Sequence, residues 1–201
     1  MDLLFDSLLA ALGLGAGLSS ASGLRAFLPP ALVGLVSRYD ALGAFELEGT
    51  RFAVLENPWL IGVLLFLALA EIVGDKIPVL DSALDLVAWP VRIAAGAVVF
   101  GAALAQESPA VIAAGMVGGG AIAATSNAVK SMIRPGATAT TGGALNPFIS
   151  FFEDLTTAVG SVVTILLPLI GFLMVAFLIF LVYRLRKIRQ RKYKGLRILK
   201  E

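Results

Sequence analysis

The longest stretch of this chain without a charged side chain is Leu155–Tyr183, 29 residues that run directly into nine basic residues within the last eighteen. About twenty apolar residues suffice to cross the hydrocarbon core of a bilayer. A segment of this kind therefore predicts a membrane span stopped by a cationic tail. The rest of the composition agrees. Charged residues make up 15% of the chain and hydrophobic residues 58%, with mean hydropathy +0.91. Soluble domains carry roughly 25% charged residues. The reading is an all-α integral membrane protein with about five or six membrane segments. Residues 1–183 form a single transmembrane domain and 184–201 a basic cytoplasmic tail.

Charge is distributed unevenly behind a formal net value of +2. Residues 1–183 hold seven basic and thirteen acidic residues; the tail holds Arg184, Arg186, Lys187, Arg189, Arg191, Lys192, Lys194, Arg197 and Lys200. Because the basic run follows a span, it points to anionic headgroups rather than nucleic acid. The positive-inside rule then puts the C-terminus in the cytoplasm of a multi-pass protein of the cell (inner) membrane. The N-terminal segment has Asp2 and Asp6 and no basic residue before its apolar run, unlike a secretion signal. It reads as a retained membrane segment.

Further spans are expected at Ser108–Val129, Asn57–Val73 with Glu71 near its end, and Leu84–Ala105 with Arg92 inside it. Ser7–Ser37 is too long for one straight crossing, carries Arg25 near its middle and has Pro29-Pro30 just after. Two helical pieces meeting at a break around Ser19–Gly23 fit better, as a re-entrant hairpin. A second broken passage is expected between Pro135 and about Gly160, if Lys130 and Arg134 report a cytoplasmic end. Otherwise those two residues lie inside the protein. The halves also echo each other: Ser22-Gly-Leu-Arg25 before Pro29 resembles Ser126-Asn-Ala-Val-Lys130 before Pro135. Asn57-Pro58 and Asn146-Pro147 each lead towards a carboxylate. An inverted repeat of this type marks midplane sites in transporters.

Charged residues within spans are costly and face a partner or a cavity. Arg25, Glu71, Asp75, Arg92, Lys130, Glu153 and Asp154 are the candidates, with Ser22, Ser126, Asn127 and Asn146 as polar neighbours. Glu71 and Asp75 share a helical face, as do Asp81, Asp85 and Arg92, and Asn127, Lys130 and Arg134. Asp81, Arg134 and Lys76, near predicted ends, suit interfacial roles. The absence of cysteine and histidine removes disulfides, thiolate and Ser-His-Asp catalysis, and histidine metal sites. The aspartate pair of an intramembrane protease is not matched, since Asp40 lies in a polar stretch and Gly74-Asp75 lacks the first glycine of its motif. The DGxxAR pattern of head-group transferases is absent. Gly13 and Gly17, and Gly115, Gly118, Gly119 and Gly120, suit close helix packing rather than nucleotide binding. Pro168 is expected to kink the last span.

Three blocks carry a resemblance: Gly17-Leu-Ser-Ser-Ala-Ser-Gly-Leu-Arg-Ala-Phe-Leu-Pro29, Ala70-Glu-Ile-Val-Gly-Asp-Lys-Ile-Pro78 and Asn146-Pro-Phe-Ile-Ser-Phe-Phe-Glu-Asp154. They resemble a bacterial membrane family known as domain of unknown function 4126, over roughly residues 5–182. That resemblance implies an integral membrane protein and supplies no reaction. Paired re-entrant segments with buried Arg and Glu are also similar to lipid-translocating DedA-type proteins, although none of that group's own motifs is present.

The expected function is a small transporter or translocase, not an enzyme and without cofactor or metal, for an amphipathic, anionic or lipid-like substrate. Arg25, Arg92 and Lys130 would attract the anionic group. Ser22, Ser126 and Asn127 would donate hydrogen bonds, and Glu71 and Glu153 would exchange protons. Partners would be membrane lipids, a second copy or another membrane protein. The alternative is a non-catalytic scaffold or subunit of a larger membrane complex.

Overall fold

The computed structural model describes residues 8–75, 78–141 and 145–198; for 78–87, 134–141, 146, 189 and 191–198 it describes the backbone alone. Among the described residues seven α-helices follow one another, with no strand: α1 Leu8–Ser22, α2 Leu28–Arg38, α3 Pro58–Gly74, α4 Pro78–Ala103, α5 Pro109–Thr141, α6 Asn146–Leu166 and α7 Ile170–Ile198. A short 3₁₀ helix, Ala53–Glu56, precedes α3. Two stretches, Pro109–Ile133 in α5 and Pro147–Leu166 in α6, are long and apolar enough to cross a membrane.

The first apolar segment is broken, as its length requires. The break lies at residues 23–27, later than Ser19–Gly23, because the serines of α1 remain helical through Ser22. Pro29 and Pro30 do not break a ladder here. They sit in the first turn of α2, where a missing N–H costs nothing. At 1.5 Å per residue, α1 is about 22 Å long and α2 about 16 Å, so neither piece alone would span ~30 Å of hydrocarbon.

Around this hairpin the bundle is organised on α1. Small residues dominate it, eleven of its fifteen residues are buried, and it packs against α4, α5, α6 and α7. A helix that is apolar all round belongs in an interior, and glycine lets its neighbours come close. A Cβ on Gly13 would strike the Pro168 carbonyl, one on Gly17 would strike Thr164, and one on Gly23 would strike the Ala123 carbonyl. The α4–α5 contact has the same cause: a Cβ on Gly119 would meet the Gly96 carbonyl, Phe100 and Ser19. Ser19 Oγ donates to the Gly96 carbonyl at 2.8 Å and ties α1 to that contact.

The passage from Pro135 to Gly160 is interrupted: α5 continues through Pro135 to Thr141 and α6 starts at Asn146. Lys130, only 3% exposed, lies inside the protein, while the side chain of Arg134 lies outside the described residues. One expectation about the second half needs correction: Leu155–Tyr183 is not a single helix. Pro168 has no N–H to continue the ladder, α6 ends at Leu166, and α7 begins at Ile170. The echo between halves does not extend to helix position: Arg25 follows α1 whereas Lys130 lies within α5, and Glu71 is in the last turn of α3 whereas Glu153 is in the second turn of α6.

Polarity is inverted between interior and surface. Arg25 and Arg92 are each 1% exposed, while Trp59, Phe66, Val117, Leu173 and Phe180 stand open on the outside. The 39–57 connection closes one end, burying Phe45, Leu47 and Leu55 against Leu14, Leu18, Val33 and Val99.

Adjacent glycines separate packing from composition. Gly119→Val is expected to lower stability in detergent by roughly 1–3 kcal/mol through overpacking. Gly118 faces open space, and Gly118→Val should stay within about 0.5 kcal/mol. Thermal unfolding of both variants checks the difference.

Candidate functional site

The tip of the α1–α2 hairpin presents non-helical backbone to the interior, and charged side chains from four other helices close on it. α3 supplies Glu71 in its last turn and Asp75 at its C-cap. α4 supplies Arg92, α5 Asn127 and Lys130, and α6 Ser150, Glu153 and Asp154. Arg25, at the tip itself, is the hub. Its NH1 donates to Asp75 Oδ2 at 2.6 Å and to the Glu71 carbonyl at 3.2 Å. Its NH2 lies 3.0 Å from Ser150 Oγ and 2.6 Å from Asp154 Oδ1.

The tip's main chain is served by the same groups. The Ala26 N–H donates to Glu71 Oε2 at 2.9 Å, and the Leu24 carbonyl accepts from Lys130 Nζ at 3.5 Å. Lys130 Nζ also sits 3.1 Å from both Asp75 Oδ2 and Glu153 Oε2. Arg92 reaches Glu71 Oε1 through Nε at 3.3 Å and NH2 at 3.1 Å, and its NH1 donates to Asn127 Oδ1 at 2.8 Å. Three cations and four carboxylates thus share one continuous network. Charges are taken from water only at a cost of several kcal/mol each; here each described charge is repaid by at least one opposite partner. Exposure within the network is greatest at Asp154, whose side chain is 15% exposed.

All seven charged residues read from the sequence as candidates therefore meet at one place, together with Asn127. Ser22 is buried nearby but donates to the Leu18 carbonyl of its own helix. Ser126 Oγ lies 3.2 Å from Ser20 Oγ and joins α5 to α1 rather than to the charges. The side chain of Asn146 lies outside the described residues, as do those of Asp81, Asp85 and Arg134 and the whole of Lys76. Among the described residues no group of three or more carboxylates forms a metal site.

A family model described as Domain of unknown function (DUF4126) matches residues 12–187. The chain belongs to this family. No curated protein and no solved structure matches it. The match takes in every residue of the network and leaves most of the cationic tail outside.

For this DUF4126 chain, sequence reasoning missed Ser150 and the α6 face it opens. Ser150, Glu153, Thr157, Ser161 and Thr164 recur every three or four residues and are all buried. That spacing was a usable signal, since polar residues repeating on one face of an apolar helix mark the face turned from lipid.

Removing one member of the network should strand the others. Lys130→Met leaves Asp75 and Glu153 without this cation and is expected to cost roughly 3–5 kcal/mol. Ser126→Ala, which removes one neutral hydrogen bond, should cost about 1 kcal/mol. Unfolding by a denaturing detergent measures both.

Proposed function

We propose that this protein is a small multi-pass transporter or translocase of the cell (inner) membrane, acting on an amphipathic, anionic or lipid-like substrate. Its C-terminal tail lies on the cytoplasmic side, against anionic headgroups. Membrane residence is supported by the inverted polarity: an apolar exterior around buried charges is stable in lipid and costly in water. The helices of spanning length and the basic tail support it as well.

The observation that carries transport is the hairpin tip itself. Non-helical backbone at membrane depth survives only where protein or a polar cavity satisfies it. Here that task falls to ionised side chains, Glu71 on the Ala26 amide and Lys130 on the Leu24 carbonyl, and in the proposed cycle their pairs exchange partners. The cations already hold carboxylates, so an anionic group would enter by replacing one of them. Asp154 is the most open carboxylate on Arg25, and Glu153 is its neighbour on Lys130. A phosphate-bearing headgroup arriving at this edge would take over the Arg25 or Lys130 contact while its acyl chains stay on the apolar outer surface. Movement of the short α1–α2 hairpin relative to α3 and α6 would then change the side to which the cations are open.

Reconstituted vesicles containing a fluorescent anionic phospholipid test this directly. With the wild-type protein, dithionite is expected to quench label from both leaflets; Arg25→Ala and Glu153→Gln should slow inner-leaflet quenching at least tenfold. Glu153→Gln keeps the shape of the side chain and covers the case in which Arg25→Ala does not fold. Quenching limited to the outer leaflet with wild-type protein removes the transport reading and favours the scaffold.

A further inference from the structure

Below the charged network, α6 carries its polar face onward. From Ser150 through Glu153, Thr157 and Ser161 to Thr164, five polar side chains lie on one buried face, and Ser150, Thr157, Ser161 and Thr164 have no exposed surface. At 1.5 Å per residue they cover about 21 Å, two thirds of the ~30 Å thickness of a hydrocarbon core. The upper members are spoken for: Ser150 accepts from Arg25, and Thr157 Oγ1 donates to the Glu153 carbonyl at 2.8 Å. The lowest, Thr164 Oγ1, reaches the Met174 sulfur at 3.3 Å, a weak acceptor.

Two polar atoms on this line have no hydrogen-bond partner among the described residues: Arg25 Nε at the top and Ser161 Oγ two turns below Glu153. Buried hydroxyls and guanidinium N–H groups are normally paired, and internal water supplies the partner where protein does not. The helix-packing role of α6 gives no reason for a hydroxyl at 161, because alanine fills the same place without an unmet donor. The stripe ends at Thr164, just before the α6–α7 break, where Leu167 and Leu169 are exposed.

From these observations we infer that the buried face of α6 is a hydrated proton path, with water held at Ser161, joining the far side of the bundle to Glu153. This inference rests on the transport reading and names its coupling ion. A proton entering from water at the Thr164 end passes along hydrogen-bonded water and hydroxyl groups. The Glu153 carboxylate accepts it as an O–H. Neutral Glu153 then releases its ion pair with Lys130, which keeps Asp75; loss of the same proton to water on the opposite side restores the pair. Among the described residues the charged group against Glu153 is Lys130 from α5, with Asp154 next to it in sequence on α6 and Asp75 and Arg25 one contact further.

The chain has no native cysteine, so single cysteines report water directly. Thr157→Cys and Ser161→Cys in reconstituted vesicles are expected to react with 2-aminoethyl methanethiosulfonate at least tenfold faster than Leu18→Cys, which is equally buried on α1. Equal rates overturn the hydrated path. In vesicles loaded with a pH dye, wild-type protein should carry protons down an imposed gradient. Ser161→Val should slow this at least tenfold, and Ser161→Thr should retain it. No proton movement by the wild type, or full movement by Ser161→Val, overturns the proposal. Proton movement without phospholipid movement retires the lipid substrate and leaves this path standing.

Discussion

The structure depends on one constraint: a peptide chain that turns back inside an apolar bundle must satisfy its main chain without water. In this protein the turn is residues 23–27, and the groups that satisfy it are ionised. Glu71 takes the Ala26 amide, and Lys130 reaches the Leu24 carbonyl. Those two charges need partners in turn, which Arg92, Asp75 and Glu153 supply. Arg25 draws in Asp154 and completes the set. The network therefore exists first as a cap for a broken helix. Its transport role is proposed as a use of the same contacts, since a capping ion pair that can exchange partners also lets the hairpin move.

Glycine and serine make that geometry reachable. Side chains longer than a hydrogen atom at Gly13, Gly17, Gly23 or Gly171 would push α1 away from the elements that carry the charges. A bundle with α1 and the hairpin tip one ångström further out would stretch the tip's contacts of 2.6–3.0 Å beyond hydrogen-bond length. Close packing and charge pairing are thus coupled: small residues set the spacing and ion pairs reward it. Dispersion and hydrogen bonding, rather than an entropy gain from water, hold such helices together where the surroundings are lipid.

The charged members of the site are legible in the sequence for a simple reason. In a chain this apolar, an arginine or glutamate within an apolar segment has few places to go, so Arg25, Glu71, Arg92 and Glu153 stand out by position alone. The break in the first segment is legible from length and proline, but its place is not. Proline marks where a helix can begin as readily as where one ends, and Pro29-Pro30 begins α2. Hydropathy also misjudges the last apolar run, which reads as continuous although Pro168 divides it. The pairing of Lys130 with Asp75 and Glu153 is out of reach, because spacing along a helix says which residues share a face and not which helix that face meets.

The central claim is that the hairpin is held by mutually dependent buried charges, and a double-mutant cycle on Arg25 and Asp75 tests it most directly. Arg25→Met, Asp75→Leu and the double variant would be unfolded from lipid-like detergent and their stabilities compared with wild type. A coupling energy of roughly 2 kcal/mol or more is predicted, with the double variant more stable than the sum of the single losses implies. Coupling below about 0.5 kcal/mol would mean that the two residues act independently; packing alone would then hold the hairpin tip, in contradiction of mutual dependence among its charges.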